Sequence, residues 1–178
     1  AYMVHRWEPT HVYSIEAISA TGGTPYTIYT APEGYGLMIS SGLAWSSDGT
    51  QLAVCGGEIS AGYDGTSIMI IDRATGTVTD RLLTGQFHKG GLDWARQGMN
   101  KIAFHDSGGT GMFYTVDIDT ETVVPVVGGS NPSWSPDNSM IVFMQRINRK
   151  KISISTYEFS TGTITQLTNG LTPDWRRN

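Results

Sequence analysis

The chain has 178 residues, enough for one domain with a sizeable hydrophobic core. Only 16% of the residues are charged and 22 are glycine, a composition that suits a turn-rich all-β protein and excludes a helical or disordered one. The net charge of −4 argues against nucleic-acid binding, and no apolar run in the sequence is long enough to span a bilayer. Cys55 is the single cysteine, so neither an intrachain disulfide nor a cysteine-based zinc site is expected.

Three strands are predicted in the first thirty residues. Tyr2–Trp7, His11–Ile18 and Thr24–Thr30 are rich in aromatic and β-branched residues, and a turn-forming run at 20–23 separates the last two. They match the second, third and fourth strands of the repeat that fills the remainder of the chain. The first strand of this unit is therefore missing at the start.

From about residue 40 onward the chain repeats itself. Four tryptophans recur at intervals of roughly 40–50 residues, a period that is typical of β-propeller blades. They are Trp45, Trp94, Trp134 and Trp175. Each tryptophan ends a predicted strand a. After the first three, a short apolar strand b follows, and strands c and d then flank a turn rich in Asp, Thr and Gly. The b strands are Leu52–Val54, Ile102–Phe104 and Ile141–Phe143; the c strands are Ser67–Asp72, Gly111–Asp117 and Ile152–Phe159; the d strands are Val78–Leu83, Thr122–Val127 and Thr163–Leu167.

The last tryptophan phrase, Leu171–Trp175, is an a strand without a unit of its own. We expect it to supply the strand that the first unit lacks, because propellers commonly share one blade between the two ends of the chain and so leave no sheet edge open. The expected fold is a single all-β propeller domain, 1–178, with four blades of four antiparallel strands. The blades are approximately 1–30 plus 171–175, 41–84, 91–127 and 131–168.

The tryptophan phrases resemble the TolB-type propeller repeat, also called the WD40-like or PD40 repeat. The resemblance rests on a Trp-Ser-Pro-Asp-Asn/Gly turn, an apolar b strand and an Ile-Asp-x-x-Thr-Gly turn. The best copies are 45–49 and 132–138, whereas 94–98 lacks the Asp. Because TolB-like propellers usually have six or more blades, two alternatives stay open. The chain is the C-terminal part of a longer propeller, or two copies join into one larger ring.

The repeated residues themselves have structural interpretations. The tryptophans are expected in the core, because propeller sheets pack face to face and bury both faces. Asp48 and Asp137 lie in the a–b turns, and Asp72 and Asp117 lie in the c–d turns. An Asp side chain at such a position accepts hydrogen bonds from nearby backbone N–H groups and favours the turn.

Binding residues are expected on one end of the blades. In an antiparallel meander the b–c and d–a connections share one end, which we call the loop face, and the a–b and c–d turns share the other, the turn face. The loop-face connections are longer and irregular, and function commonly lies on variable loops carried by a rigid scaffold. Their aromatic and mixed-charge composition favours a polar protein or glycan partner. The candidate binding residues are Tyr35, Glu58, Tyr63, Asp64, Phe87, His88, Lys89, Asp106, Arg146 and Arg149.

Two sets of aligned positions are candidate metal or channel residues. The residue after each b-strand core is a potential soft-metal ligand, although such residues also serve as plain packing. These four are His5, Cys55, His105 and Met144. At the position before the tryptophan, strand a carries Asp93 and Asp174. If strand a lines the axis, the two carboxylates are expected to face each other across a central channel, where they hydrate it or bind a cation.

The sequence contains no Gly-x-Ser-x-Gly elbow, no His-Glu-x-x-His motif and no phosphate-binding loop. We therefore expect a non-enzymatic module, without a cofactor, that serves protein–protein interaction through its loop face. The resemblance also implies binding and assembly functions. The alternatives are a carbohydrate-binding propeller, a structural subunit of an assembly, and a fragment of a hydrolase or lyase. A periplasmic or extracellular location is expected, and the sequence leaves the oligomeric state open.

Overall fold

The computed structural model is all-β, as the sequence predicts. In the described residues sixteen strands form four antiparallel sheets. The described part of the chain contains no helix with the length and apolar character needed to cross a membrane. The structure describes residues 1–6, 11–38, 42–59, 67–82, 89–106, 108, 110–149 and 151–175.

Each sheet is a meander of strands that are consecutive in the chain, because short connections join each strand to its neighbour. The first sheet contains β1 (Tyr2–Arg6), β2 (Val12–Ala17) and β3 (Tyr26–Thr30). The second contains β4 (Tyr35–Leu37), β5 (Leu43–Trp45), β6 (Gln51–Glu58), β7 (Ser67–Asp72) and β8 (Val78–Leu82). The third contains β9 (Lys89–Trp94), β10 (Lys101–Asp106), β11 (Met112–Asp117) and β12 (Val123–Gly128). The fourth contains β13 (Ser130–Trp134), β14 (Met140–Asn148), β15 (Lys151–Glu158) and β16 (Ile164–Asn169).

Strand a of the second sheet is divided into β4 and β5, which both pair with β6. Tyr35 lies opposite Glu58 near the loop face, and Trp45 lies opposite Leu52 near the turn face. The division brings the described strands to sixteen, the number that the sequence predicts. The agreement is in number only, because the predicted last strand, Leu171–Trp175, belongs to no sheet.

Three hydrophobic clusters join the four sheets in a row. The side chains alternate along each strand, so each inner sheet contributes one set of apolar residues to the cluster before it and the other set to the cluster after it. The clusters include Ile15 and Leu52 between the first and second sheets, Ile70 and Phe104 between the second and third, and Phe113 and Phe143 between the third and fourth.

The expected closure of the propeller within one chain is wrong for the described residues. Their clusters leave the fourth sheet without a contact to the first, and β1 pairs with β2 alone. The spare phrase lies beside the fourth sheet instead, where the Ser133 hydroxyl donates to Asp174 at 3.0 Å. The physical reason is a short connection, because β16 ends at Asn169 and Leu171 follows after one residue. A connection of one residue keeps the phrase next to β13 of the same sheet.

The turn chemistry predicted at the turn face is confirmed. Asp137 accepts hydrogen bonds from the hydroxyl groups of Ser135 and Ser139 and from the Ser139 N–H. Asp48 repeats this pattern with the hydroxyl groups of Ser46 and Thr50 and with the Thr50 N–H. These bonds lower the pKa of both carboxyl groups to about 2, the Ser46 and Ser135 hydroxyls contributing most. In the c–d turns, Asp72 and Asp117 likewise accept from Thr75 and Thr120.

The tryptophans lie at two depths. Trp94 and Trp134 are each 2% exposed, and the Trp134 ring stacks on Phe159 with 5.2 Å between centroids. Trp45 and Trp175 are partly exposed, and the Arg73 guanidinium lies over the Trp45 ring. The core interpretation is therefore confirmed for the two inner tryptophans, while the other two lie at the margins of the packed sheets.

Candidate functional site

At the loop face of the second sheet, the predicted residues Tyr35 and Glu58 form a pair. They lie opposite each other on β4 and β6, and the Tyr35 hydroxyl donates to Glu58 Oε1 at 2.9 Å. This hydrogen bond raises the pKa of the Tyr35 hydroxyl above its ordinary value of 10.0. The guanidinium of Arg81, at the end of β8, lies over the Tyr35 ring at 5.3 Å. Arg81 was missed by the sequence reasoning, because it is distant from Tyr35 in sequence and only the assembly of β4 and β8 into one sheet brings them together.

Four of the predicted binding residues lie outside the described residues. They are Tyr63, Asp64, Phe87 and His88.

The assignment of Lys89 to an exposed loop is wrong. Strand β9 begins at Lys89, opposite Asp106 of β10, and the Lys89 side chain is completely buried. The sequence places the start of this strand two residues later, at Gly91. The polar character of Lys89 favours a loop, but pairing with β10 draws it into the sheet and removes it from any partner's reach.

Asp106 organises its own loop. The residue is 7% exposed. One carboxylate oxygen accepts from the Gly108 N–H, and the other accepts from both the N–H and the hydroxyl of Thr110, all at 2.9 Å. These bonds fix the b–c connection of the third sheet. Asp106 is thus a positioning residue, and its carboxylate is largely engaged before any partner arrives.

A groove on the loop face separates the third sheet from the fourth. It has a volume of about 480 Å³. Among the predicted site residues it brings together Asp106 from the third sheet with Met144 and Arg146 from the fourth. The remaining side chains that line it are Ser130, Gln145 and Ile152, and the backbone of Gly111, Gly128 and Gly129 completes it.

The glycines of this groove let two backbone segments approach closely. The Gly129 N–H donates to the Gly111 carbonyl at 2.8 Å. A Cβ atom at Gly129 would lie 2.4 Å from Phe143 Cδ2 and 2.8 Å from the Met144 carbonyl oxygen, so a side chain cannot be accommodated without movement. Sequence reasoning missed this groove, although the Gly128-Gly129-Ser130 run ahead of a tryptophan phrase is a visible signal of close backbone approach.

The basic hairpin between β14 and β15 projects from one side of the groove. Its strands stay paired as far as Asn148 and Lys151, and residues 146–149 are exposed. Arg146 therefore stands at the groove with its guanidinium available to a ligand, and Arg149 lies at the tip of the same hairpin. An arginine at such a place can donate two parallel hydrogen bonds to a carboxylate or to backbone carbonyl groups.

The structure places the four candidate soft-metal ligands in different surroundings. The His5 ring stacks on Tyr13 and its Nε2 lies 3.1 Å from His11 Nδ1. Cys55 is buried in the cluster between the second and third sheets. His105 lies against Gly90 and Gly91, and burial lowers its pKa below 6.5. Met144 lines the groove. Among the described residues, no three His, Cys, Asp or Glu side chains lie close enough together to hold a metal ion.

Asp93 and Asp174 do not face each other across a channel. They are joined side by side through the Ser133 hydroxyl, which lies 3.1 Å from Asp93 Oδ2 and 3.0 Å from Asp174 Oδ1. The Trp134 N–H also donates to Asp93, at 2.7 Å, and Arg96 forms an ion pair with it at 3.1 Å. Burial raises the pKa of Asp93 above 3.8 despite these partners. The arrangement links β9 to β13 and β13 to the last tryptophan phrase, which gives it a structural role.

No protein-family model matches the sequence, and no curated protein matches it. Solved structures match its fold. TolB from Acinetobacter baumannii is 20% identical, with a TM-score of 0.65 over 88% of this chain and 37% of that protein. A putative TolB from Agrobacterium tumefaciens is 22% identical, with a TM-score of 0.66 over 92% of this chain and 66% of that protein. An oligogalacturonate lyase in complex with manganese is 16% identical, with a TM-score of 0.65 over 90% of this chain and 50% of that protein.

The chain thus spans 37% to 66% of the length of these three structures. At these identities the likeness concerns the fold. The matched fold consists, in this chain, of four antiparallel meanders packed face to face, with Trp-Ser-x-Asp turns at 45–48 and 134–137. The chain has the fold of a TolB-like β-propeller.

Proposed function

We propose that this chain is a non-enzymatic binding module whose loop-face groove, between the third and fourth sheets, takes an extended acidic segment of a protein partner. The observation that supports it is the groove itself. It is about 480 Å³ in volume, and its lining combines an exposed cation, Arg146, with the apolar side chains of Met144 and Ile152.

An extended peptide suits this groove better than a sugar does. Gly111 and Gly128 are exposed and carry no side chains, so an extended backbone can lie close against this part of the groove. Apolar side chains of a peptide would pack on Met144 and Ile152, and methionine adapts well to different partners. Sugar sites usually stack a ring on an aromatic side chain, and none of the described residues that line the groove is aromatic.

The charge of the rim favours an acidic segment. Arg146, Arg149 and Lys151 are exposed on one hairpin, so their positive charge is available to a partner. The opposite charge in the groove, Asp106, already accepts three hydrogen bonds from its own loop. A carboxylate on the partner would therefore meet Arg146 without displacing an existing ion pair. The expectation of a periplasmic or extracellular location stays part of this proposal.

Selection of random linear peptides displayed on phage would test the proposal. We expect the selected peptides to carry Asp or Glu beside apolar residues. In titration calorimetry Arg146→Glu should weaken their binding by at least about tenfold, or about 1.4 kcal/mol. The matched control is Arg73→Glu, which reverses the same charge on the turn face and should leave affinity within about twofold.

Two results would overturn the proposal. Either no peptide is selected above background, or the selected peptides bind wild type and Arg146→Glu equally well. If the wild-type chain binds a sugar on a glycan array and Arg146→Glu does not, the ligand of the groove is a sugar and not a peptide. Turnover of a polysaccharide or ester substrate by the purified chain would replace the binding module with an enzyme.

A further inference from the structure

Two histidines meet at the loop-face end of the first sheet. His5 lies on β1, and His11 directly precedes Val12, the first residue of β2. His5 Nε2 and His11 Nδ1 are 3.1 Å apart. His5 is partly exposed and His11 is exposed, so solvent reaches the pair. Sequence analysis identified His5 as a candidate soft-metal ligand and missed His11, because nothing local shows that the two rings meet.

The antiparallel pairing of β1 with β2 brings the two rings together. His5 lies directly opposite Tyr13, so both side chains project from the same face of the sheet. His11 precedes Tyr13 by two residues and therefore shares that face. Because Tyr13 belongs to the cluster between the first and second sheets, this is the inner face of the first sheet. The histidine pair thus owes nothing to the outer face of that sheet or to the edge of β1.

Ring stacking holds the imidazoles in place. The His5 ring lies parallel to the Tyr13 ring, with 4.2 Å between centroids and 4° between planes. The His11 ring stacks on His5 at 5.3 Å and 19°. Tyr13 is 4% exposed, so it is a fixed base for both rings. Neighbouring groups that orient a ligand before the ion arrives raise the affinity of a metal site.

The spacing of the two nitrogens fits a single metal ion. Zinc binds imidazole nitrogen at about 2.0–2.1 Å, so two such ligands are about 2.9 Å apart at a right angle and about 3.3 Å apart at the tetrahedral angle. The observed 3.1 Å lies between these values. A metal can therefore replace the hydrogen bond between the rings without movement of the strands. The proton of that bond then moves to the other nitrogen of its own ring, so His5 carries its N–H at Nδ1 and His11 at Nε2.

We propose that His5 and His11 bind a divalent transition-metal ion of the class that prefers imidazole, namely Zn²⁺, Ni²⁺ or Cu²⁺. The chain supplies two ligands, since no group of three His, Cys, Asp or Glu side chains comes together in the part of the chain that the structure describes. Water fills the remaining positions, so the ion is exchangeable and open to a donor group of another molecule. The site lies on the first sheet and is separate from the groove between the third and fourth sheets.

Titration calorimetry on the full chain, prepared without a histidine tag, gives the first test. Zn²⁺ and Cu²⁺ are titrated separately, and we expect one ion per chain, with Cu²⁺ bound more tightly. His5→Ala and His11→Ala each remove one ligand. Loss of a residue that merely orients a ligand already lowers metal affinity about 10–100-fold, so each variant should bind at least about tenfold more weakly than wild type.

Two control variants keep the pair intact. Arg6→Ala changes the residue next to His5, whose side chain lies on the other face of β1 in an ion pair with Glu16. His105→Gln removes a histidine from the third sheet. Both should bind the metal within about twofold of wild type. No binding of either ion by wild type would overturn the proposal, as would unchanged affinity in His5→Ala and His11→Ala. Circular dichroism of each variant shows whether it is folded.

NMR spectroscopy of the wild-type chain identifies the ligands without relying on any variant. Addition of Zn²⁺ should shift the imidazole signals of both His5 and His11 and leave those of His105, which is packed against Gly90 and Gly91, unchanged. A shift at only one ring of the pair would mean a single-ligand contact and would contradict the proposal. So would shifts confined to other residues, which would place the metal elsewhere, and so would the absence of any shift.

Discussion

Asp93 is the buried carboxylate that ties β9 of the third sheet to β13 of the fourth, and its removal gives a sharp test of this packing. It accepts hydrogen bonds from the Trp134 N–H at 2.7 Å and from Arg96 at 3.1 Å, and it lies 3.1 Å from the Ser133 hydroxyl that it shares with Asp174. In Asp93→Ala the N–H of Trp134, a residue that is 2% exposed, would lose its acceptor, and the Arg96 guanidinium would lose its anion.

The expected loss of stability follows from these contacts. A buried N–H left without a partner costs about 1–3 kcal/mol. Breaking a buried ion pair costs about 3–5 kcal/mol, and the 17% exposure of the Arg96 side chain places this case at the lower end. We expect Asp93→Ala to lower the free energy of unfolding by about 3 kcal/mol. For a domain of this size that corresponds to a fall in Tm of roughly 6–12 °C.

Urea unfolding and differential scanning calorimetry of three variants would check this reasoning. Asp93→Asn keeps an oxygen acceptor for the Trp134 N–H but removes the anion that pairs with Arg96, so it should cost less than Asp93→Ala by about 1 kcal/mol or more. Asp174→Ala removes the aligned but exposed carboxylate of the next phrase and should stay within about 1 kcal/mol. A cost below about 1 kcal/mol for Asp93→Ala, or equal costs for Asp93→Asn and Asp93→Ala, would refute this role of the Asp93 carboxylate.

Three further predictions concern charge and packing. Burial raises the pKa of Asp93 above 3.8, so its contribution to stability is fully present below pH 3.8 and is lost as pH rises through the folded pKa. In urea unfolding at a series of pH values, the free energy of unfolding of wild type should therefore fall relative to that of Asp93→Asn as pH rises. The pKa of Asp137 is lowered from 3.8 to about 2, so its stabilising contribution is present above pH 3.8 and is lost as pH falls through about 2. The difference in thermal stability between wild type and Asp137→Ala should vanish across that window. Phe143→Ala empties a fully buried site between the third and fourth sheets and should cost about 3–5 kcal/mol in chemical unfolding. Leu167→Ala, at 57% exposure, should change stability by no more than about 0.5 kcal/mol, and comparable losses in the two would contradict the packing.

The local elements of the fold were predictable because each one is encoded within a few residues. The Asp48 and Asp137 turns hold their own backbone through hydrogen bonds that span at most five residues. The b strands and their pairing with strand c follow from short apolar runs on both sides of a connection. Strand a of the second sheet was less predictable, since both Tyr35–Leu37 and Leu43–Trp45 pair with one long b strand.

The candidate site was predictable only in part, because a groove between two sheets depends on residues that are distant in sequence. Asp106 and Arg146 were both expected on the loop face, and the structure brings them to the same groove. Nothing local indicates that they meet. Lys89 shows the opposite failure, since its charge suggests a loop whereas its pairing with Asp106 places it inside the sheet. Composition identifies the face, and tertiary packing determines which of its residues can reach a partner.

Closure is the property that local sequence patterns describe least well. The short connection after β16 keeps the phrase Leu171–Trp175 beside the preceding strand a, β13. The equally short connection between β12, which ends at Gly128, and β13, which begins at Ser130, has the same effect in the sheet before it. The chain can close on itself only if the first sheet also lies there, and the three clusters place the first and fourth sheets at opposite ends of the row. The phrase therefore lies beside the fourth sheet and does not pair with β1, which is at the opposite end of the row.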